Sequence, residues 1–291
     1  MPFADAAGID FGHFGAVVQA LPARLTYCCR LTIARFGLIP TGKFAWLISF
    51  RWCIWDEIGR CPRSLRMSDL VDEKYYQQAP DESWAERLLI GARDRIYRDF
   101  IDQMRPKPSD RILDVGVSDV ISNGANVLER CYPEQQNITA CGLGAGHEFQ
   151  ATFPKVNYIR IEPNVRLPFE DRSFAIATAN AVLEHVGSAA NQAFFVSELS
   201  RVAERVFISV PHKFFPIEHH TALPLVHYQR RTFELACAAT GKSEWTREEN
   251  LILMTRKSLR RLAAPIRKSA AVGYTGMRLG PFSSNLFLSL K

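Results

Sequence analysis

Arg111–Val120 reads RILDVGVSDV, and the fold turns on how this stretch is read. Ile112 to Val115 has the look of a buried strand, and Gly116 breaks it into a loop. A helix is expected from about Ala125, carrying Val127, Leu128 and Tyr132. A strand that turns on glycine into a helix is where doubly wound α/β proteins bind nucleotides. The glycine lets the backbone approach a ligand, and the start of the helix presents free N–H groups.

The same rhythm continues downstream. Further strands are expected at 137–143, 156–161, 173–179 and 205–210, the last ended by Pro211. A helix at about 190–203 carries Phe194, Phe195, Leu199 and Val202, and one at 81–105 precedes the first strand and stops at Pro106. Strands alternating with helices argue a mostly parallel sheet covered on both faces. After Pro211 the pattern loosens into helices near 232–240 and 254–264. The tail then gives two strands, 271–275 and 285–290, joined by a Gly/Pro turn over Gly276–Ser284. The expected fold is α/β, a doubly wound, mostly parallel seven-stranded sheet with an N-terminal helical or apolar extension. Residues 1–85 are read as that extension and 86–291 as the main domain, with an insertion at about 211–265.

The extension has its own composition. Between Arg24 and Arg66 there are eight basic residues against two acids, Asp56 and Glu57. Within it lies Phe44–Trp55, FAWLISFRWCIW. Its apolar residues cover every side of a helix, and its large residues alternate at Trp46, Ile48, Phe50, Trp52 and Ile54, so a strand stays open. The segment is read either as packed on the main domain over a substrate pocket, or as a peripheral membrane contact with aromatics among headgroups and Arg/Lys on anionic lipid.

With 291 residues and 47% hydrophobic content, the chain suits one large domain or a domain plus an extension. The net charge of +6 permits an acidic partner without demanding one. Seven cysteines form no zinc-type CxxC pair, which suggests reduced thiols and a cytoplasmic protein. No apolar run reaches the ~20 residues of a spanning helix.

Four stretches, in order and with compatible spacing, carry a family resemblance over roughly 90–291. They are Ile112-Leu-Asp-Val-Gly116, Leu167-Pro-Phe-Glu-Asp-Arg-Ser-Phe174, Asn180-Ala-Val-Leu-Glu-His-Val186, and Glu198-Leu-Ser-Arg-Val followed by Val206-Phe-Ile-Ser-Val-Pro211. Together they resemble the class I S-adenosylmethionine (SAM) dependent methyltransferases of the small-molecule, type-11-like kind. The resemblance implies a SAM cofactor, with Asp114 on its methionine amino end and Gly116 and Ser118 at the bend. It also places Gly142, Glu162, Asn180 and Ala181 around the rest of the cofactor. Two departures stand out: the usual G-x-G-x-G reads Gly116-Val-Ser118-Asp-Val120, and the acid that holds the ribose after the second strand is missing. Glu148 is the candidate substitute. The lone glycine also argues against a nicotinamide site, which needs G-x-G-x-x-G.

His185 is the best candidate for a general base, since imidazole titrates near neutrality; a structural or cofactor contact is the competing reading. Four of the seven histidines fall within sixteen residues, His212, His219, His220 and His227, with Glu218 among them. This segment leaves the carboxyl end of the fifth strand and should overhang the crevice. His212, Phe215, His219, His220 and Tyr228 are therefore expected to line a substrate pocket. No metal is expected, because adjacent histidines rarely ligate one ion and the spacing fits no common zinc pattern. The expected acceptor is a small molecule or a lipid- or carbohydrate-linked intermediate, not nucleic acid, since the Asn/Asp-Pro-Pro-Tyr/Phe segment of amino-directed nucleic-acid methylases is absent. A non-catalytic protein on the same scaffold is the main alternative.

Overall fold

The computed structural model describes residues 27–38, 44–54 and 84–291 apart from 123. The chain divides into two compact units, Met1–Arg66 and Met67–Lys291. In the first, β1 (Tyr27–Leu38) and β2 (Phe44–Ile54) form an antiparallel hairpin, with Ile33 opposite Ile48 and Cys29 opposite Trp52. The helical reading of the extension therefore does not hold over these residues, and the alternation of large side chains in 44–54 was the better signal. No described helix is long and apolar enough to cross a membrane.

The second unit runs α1 (Trp84–Met104), β3 (Ile112–Val115), α2 (Val127–Cys131), β4 (Ile138–Gly142), α3 (His147–Thr152), β5 (Asn157–Arg160) and β6 (Phe174–Asn180). It continues with α4 (Ala189–Val202), β7 (Ala203–Pro211), α5 (Arg230–Ala239), α6 (Arg256–Ala263), β8 (Ala270–Leu279) and β9 (Phe282–Leu290). The seven strands lie in the order β5-β4-β3-β6-β7-β9-β8. All neighbours are parallel up to β7; β9 is antiparallel to β7 and to β8. This is the expected doubly wound sheet. The order reverses at β3, whose neighbours are β4 and β6, so a crevice opens beyond the carboxyl ends of these strands.

The period of two in each strand sorts side chains into two cores. Leu113, Ala177, Val206 and Ile208 face Val196, Leu199 and Val202 of α4 and Leu259 of α6. Ile112, Ile138, Ile176 and Phe207 face Ile96, Phe100 and Met104 of α1. Those α1 residues recur every fourth position, which makes one stripe of a helix. Phe207 stacks on Phe287 at 5.5 Å and meets the edge of Phe100 at 5.6 Å. β3 and β4 are buried along their whole length, as suits strands covered on both faces. The one charge within β3, Asp114, therefore sits in an otherwise apolar layer.

The closing hairpin is longer than expected. β8 and β9 pair up to Leu279 and Phe282, with a register shift between Thr275 and Arg278. The turn is confined to Gly280 and Pro281, and Gly276 belongs to an irregularity within the ladder rather than to the turn. Gly276 has φ +75°, and a Cβ there would lie 2.4 Å from Ser284 Oγ.

Candidate functional site

A cavity of about 880 Å³ occupies the crevice beyond β3, β4 and β6. Asp114, Gly116, Ser118, Gly142, Glu162, Asn180, Ala181, His185, Phe215, His219 and His220 all line it. His212 and Tyr228 do not border it. His212 packs against Phe214 and Tyr274 and donates from Nδ1 to Ser283 O, while the Tyr228 hydroxyl donates to Phe214 O. The chain turns at Phe214–Phe215, which sends Phe215 inward and Phe214 out with these two rings. Glu148 is exposed and lies off the cavity wall. Its neighbour Asp119 instead caps α3, accepting from His147 N and Phe149 N at 3.1 and 2.8 Å.

The bend after β3 keeps its shape without the usual glycines. Gly116 N and Val117 N both donate to Cys141 O, at 2.7 and 3.1 Å. The side chain of Asn126 bridges Ser118, accepting from its N–H and donating to its carbonyl, and Ser118 Oγ accepts from Val120 N. Asn126 thus serves as a backbone mimic across the loop, and its spacing from Gly116 gave no sequence signal. Gly116 has φ +101°, and a Cβ there would lie 2.2 Å from Val182 Cγ2. Glycine is required here for packing and conformation, and the amide expected to face a ligand is already bonded within the protein.

Asp114, on the cavity wall, is coupled to a second carboxyl buried in the protein. Glu129 of α2 is fully buried, and neither of its oxygens meets a hydrogen-bond donor among the described residues. Burial pushes the Asp114 carboxyl up from 3.8 to about 7, against the pull of hydrogen bonds from Glu129 and Val115. Burial first, and then the charge of Asp114, hold Glu129 well above the carboxylate range. Two adjacent buried carboxyls cannot both ionise cheaply, so Glu129 keeps its proton and donates to Asp114.

A second polar cluster lines the same cavity. His185 sits in the turn after β6, and His220 and Glu218 sit in the insertion after β7. His185 Nδ1 is 2.6 Å from Asn250 O, His220 Nδ1 is 2.8 Å from Glu218 Oε1, and the two Nε2 atoms are 3.1 Å apart. The Trp245 ring lies 4.9 Å from the His220 ring and 6.2 Å from that of His185. Burial and the neighbouring His220 lower the His185 pKa to about 4, so its ring is neutral at working pH but a weak proton acceptor. Although burial raises the Glu218 carboxyl, hydrogen bonds from His220 and Thr221 bring it down to about 2. The four histidines of the insertion do not form one cluster. His227 donates through Nε2 to Phe215 O and is buried apart from the pair.

The cavity rim is apolar and open. Leu88, Leu89, Val165, Phe194 and Ile217 all line it and are 40% exposed or more.

No protein-family model matches the chain, and no curated protein matches it in sequence. Solved structures similar to it include a magnesium protoporphyrin IX methyltransferase from Synechocystis PCC 6803 with bound SAH. That structure is 13% identical, with 76% of this chain and 92% of that one covered and a TM-score of 0.49. A SAM-dependent methyltransferase from Aquifex aeolicus is 13% identical, covering 77% and 95%, with a TM-score of 0.46. Another from Mesorhizobium loti is 14% identical, covering 69% and 99%, with a TM-score of 0.44. In strand order and in its antiparallel closing pair, the sheet is the doubly wound, mostly parallel seven-stranded one expected from the sequence.

Proposed function

We propose that this chain is a SAM-dependent methyltransferase whose acceptor has a sizeable apolar part. One observation carries the reading: the charge at the strand bend is negative and the bend's amides are already bonded to the protein. Phosphate-bearing dinucleotides need free amides at this place. Here Gly116 and Val117 give theirs to Cys141, and Asp114, backed by the buried Glu129, faces the cavity instead. A buried carboxylate favours a cationic ligand, and SAM is cationic at both its ammonium and its sulfonium. When bound, SAM supplies an electrophilic methyl group.

Asp114 would hold the amino end, assisted by the Glu129 hydroxyl. Leu143 and the Ile161–Glu162 turn, also on the wall, would flank the nucleoside, with no carboxylate after β4 to grip the ribose. Asn180 Oδ1 accepts from the Ser209 hydroxyl, and Ala181 is held at φ +55° by its N–H bond to Ser209 O. This pins the end of β6 beside the place of reaction. The open apolar rim favours a lipid-like or aromatic acceptor over a sugar or a nucleic acid.

A proton-linkage experiment tests the cofactor reading. A bound cation stabilises the ionised pair, so binding releases a proton where the pH lies between the lowered pKa of the complex and the ligand-free value of about 7. SAM affinity should therefore rise between about pH 6 and pH 8, and calorimetry in buffers of different ionisation enthalpy should show proton release in the acid half of that range. Glu129→Gln keeps a donor to Asp114 and leaves the burial that raises it, so the pH dependence should persist, whereas Asp114→Asn removes the titrating acid and should bind nearly independently of pH. Wild-type binding without proton release, or no binding at all, contradicts the proposal.

A further inference from the structure

The His185–His220 pair raises a question of atoms. A carbonyl oxygen only accepts, so the 2.6 Å contact to Asn250 O puts the His185 proton on Nδ1. The Glu218 carboxylate likewise puts the His220 proton on Nδ1. In the neutral rings both Nε2 atoms then carry lone pairs, and these face each other at 3.1 Å. Lone pairs do not bond each other; a cation must lie between them, either a shared proton or a metal ion. Two imidazole nitrogens about 2.05 Å from one ion are 3.1 Å apart when they subtend about 100°.

Three further observations favour the metal. Glu184 is 1% exposed, and both its oxygens are buried without a donor among the described residues. Glu184 Oε1 is 4.0 Å from His185 Nε2, and the ligand atoms of Glu184, His185 and His220 all lie within 4.8 Å of one another, so a side-chain rotation of Glu184 brings its carboxylate onto an ion held by the two rings. The outer shell also has the form that orients metal-bound histidines, with one ring N–H on a backbone carbonyl and the other on a carboxylate.

We propose that Glu184, His185 and His220 bind a divalent transition-metal ion, of the zinc or cobalt kind, with an open coordination position on the large cavity. Two imidazoles and one carboxylate suit these ions, and three protein ligands leave a position free. Both histidines line the cavity, so that position faces the acceptor side. That it takes an acceptor hydroxyl rests on the methyl-transfer reading; the ion site does not. A hydroxyl bound there is acidified and loses its proton to solvent, which prepares its oxygen to take the methyl group.

The test uses the full chain, stripped with a chelator and titrated with Co²⁺ alone, followed by visible absorption and Trp fluorescence. The expected result is one Co²⁺ per chain, with the strong visible bands of a low-coordinate site and quenching that Trp245→Phe diminishes. His220→Gln and Glu184→Gln should each weaken Co²⁺ by more than the ~10–100-fold cost of an outer-shell change, while His147→Gln, on exposed α3, should leave it unchanged. Circular dichroism and SAM calorimetry on each stripped variant separate a lost ligand from a lost fold. Co²⁺ binding without SAM binding keeps the ion site and removes the methyl-transfer reading. No Co²⁺ binding to the folded wild type would overturn the proposal in favour of a shared proton, as would binding that survives both ligand substitutions.

Discussion

Asp114→Asn should raise the melting temperature of the ligand-free protein near pH 8 and at the same time cut its affinity for SAM about ten- to a hundredfold. The two effects have one cause. In the folded chain the Asp114 carboxyl is pushed up to about 7 by burial, so the fold binds a proton there that the unfolded chain does not. The sign follows from linkage: between the unfolded carboxylate pKa near 4 and about 7, stability falls as pH rises, and above that range the whole cost remains. The neutral amide removes a buried charge and still bonds Glu129. A gain of a few degrees is the expected scale, since each kcal/mol moves a unit of this size by ~2–4 °C. The affinity falls because a charge-assisted hydrogen bond to a cationic amine becomes a neutral one, a loss of about 1.5–3 kcal/mol. A carboxylate that costs stability when empty and supports binding when filled belongs to function. Paired melting curves and calorimetry decide the matter. A variant that melts lower, or binds SAM as well as the wild type, contradicts the assignment.

Glu198→Ala should lower the melting temperature by roughly 10 °C. Glu198 Oε2 accepts from Leu167 N at 3.0 Å and from Arg201 Nη2 at 2.7 Å, and Oε1 accepts from Arg201 Nε at 2.9 Å. Arg201 in turn donates to Leu167 O, Phe169 O and Asp171 Oδ1. The segment from Leu167, which lines the cavity, to Asp171 is thus fastened to the last turn of α4. Removing one partner of a buried pair strands the other charge, at a cost of about 3 kcal/mol for a guanidinium that keeps some access to water. The Arg201 hydrogen bonds hold the Glu198 carboxyl below its ordinary value of 4.5, outweighing burial. Its contribution is therefore complete above that value and is lost as pH falls through the folded pKa, so the gap between wild type and variant should close in acid. Equal melting of the two proteins at neutral pH would sink this account.

The centre of the sheet was legible because its strands are short apolar runs bounded by turn residues, and burial on both faces leaves few other readings. The hairpin Tyr27–Leu38 and Phe44–Ile54 was half legible: its alternation was visible, but a segment apolar on every side satisfies a helix as well. At the site, the residues closing strands came through, since Asp114, Asn180 and Ala181 are placed by the sheet itself. Tertiary pairings did not. Asn126 and Glu129 are unremarkable as letters, and their roles arise only when α2 turns back on β3. His185 and His220 are 35 positions apart, and adjacency drew attention to His219 and His220 instead. The segments 167–174 and 198–202 read as separate motifs, yet in space they are one network around Arg201.

The central claim is that a cationic donor lies over the carboxyl end of β3, on Asp114. A crystal structure of the full chain with S-adenosylhomocysteine, the demethylated product, tests it most directly. The account predicts the amino group of the ligand within hydrogen-bond distance of an Asp114 oxygen, about 3 Å, with the sulfur turned toward Asn180 and His185. Density for the ligand anywhere else on the chain, or a cavity left empty at saturating concentration, would contradict it.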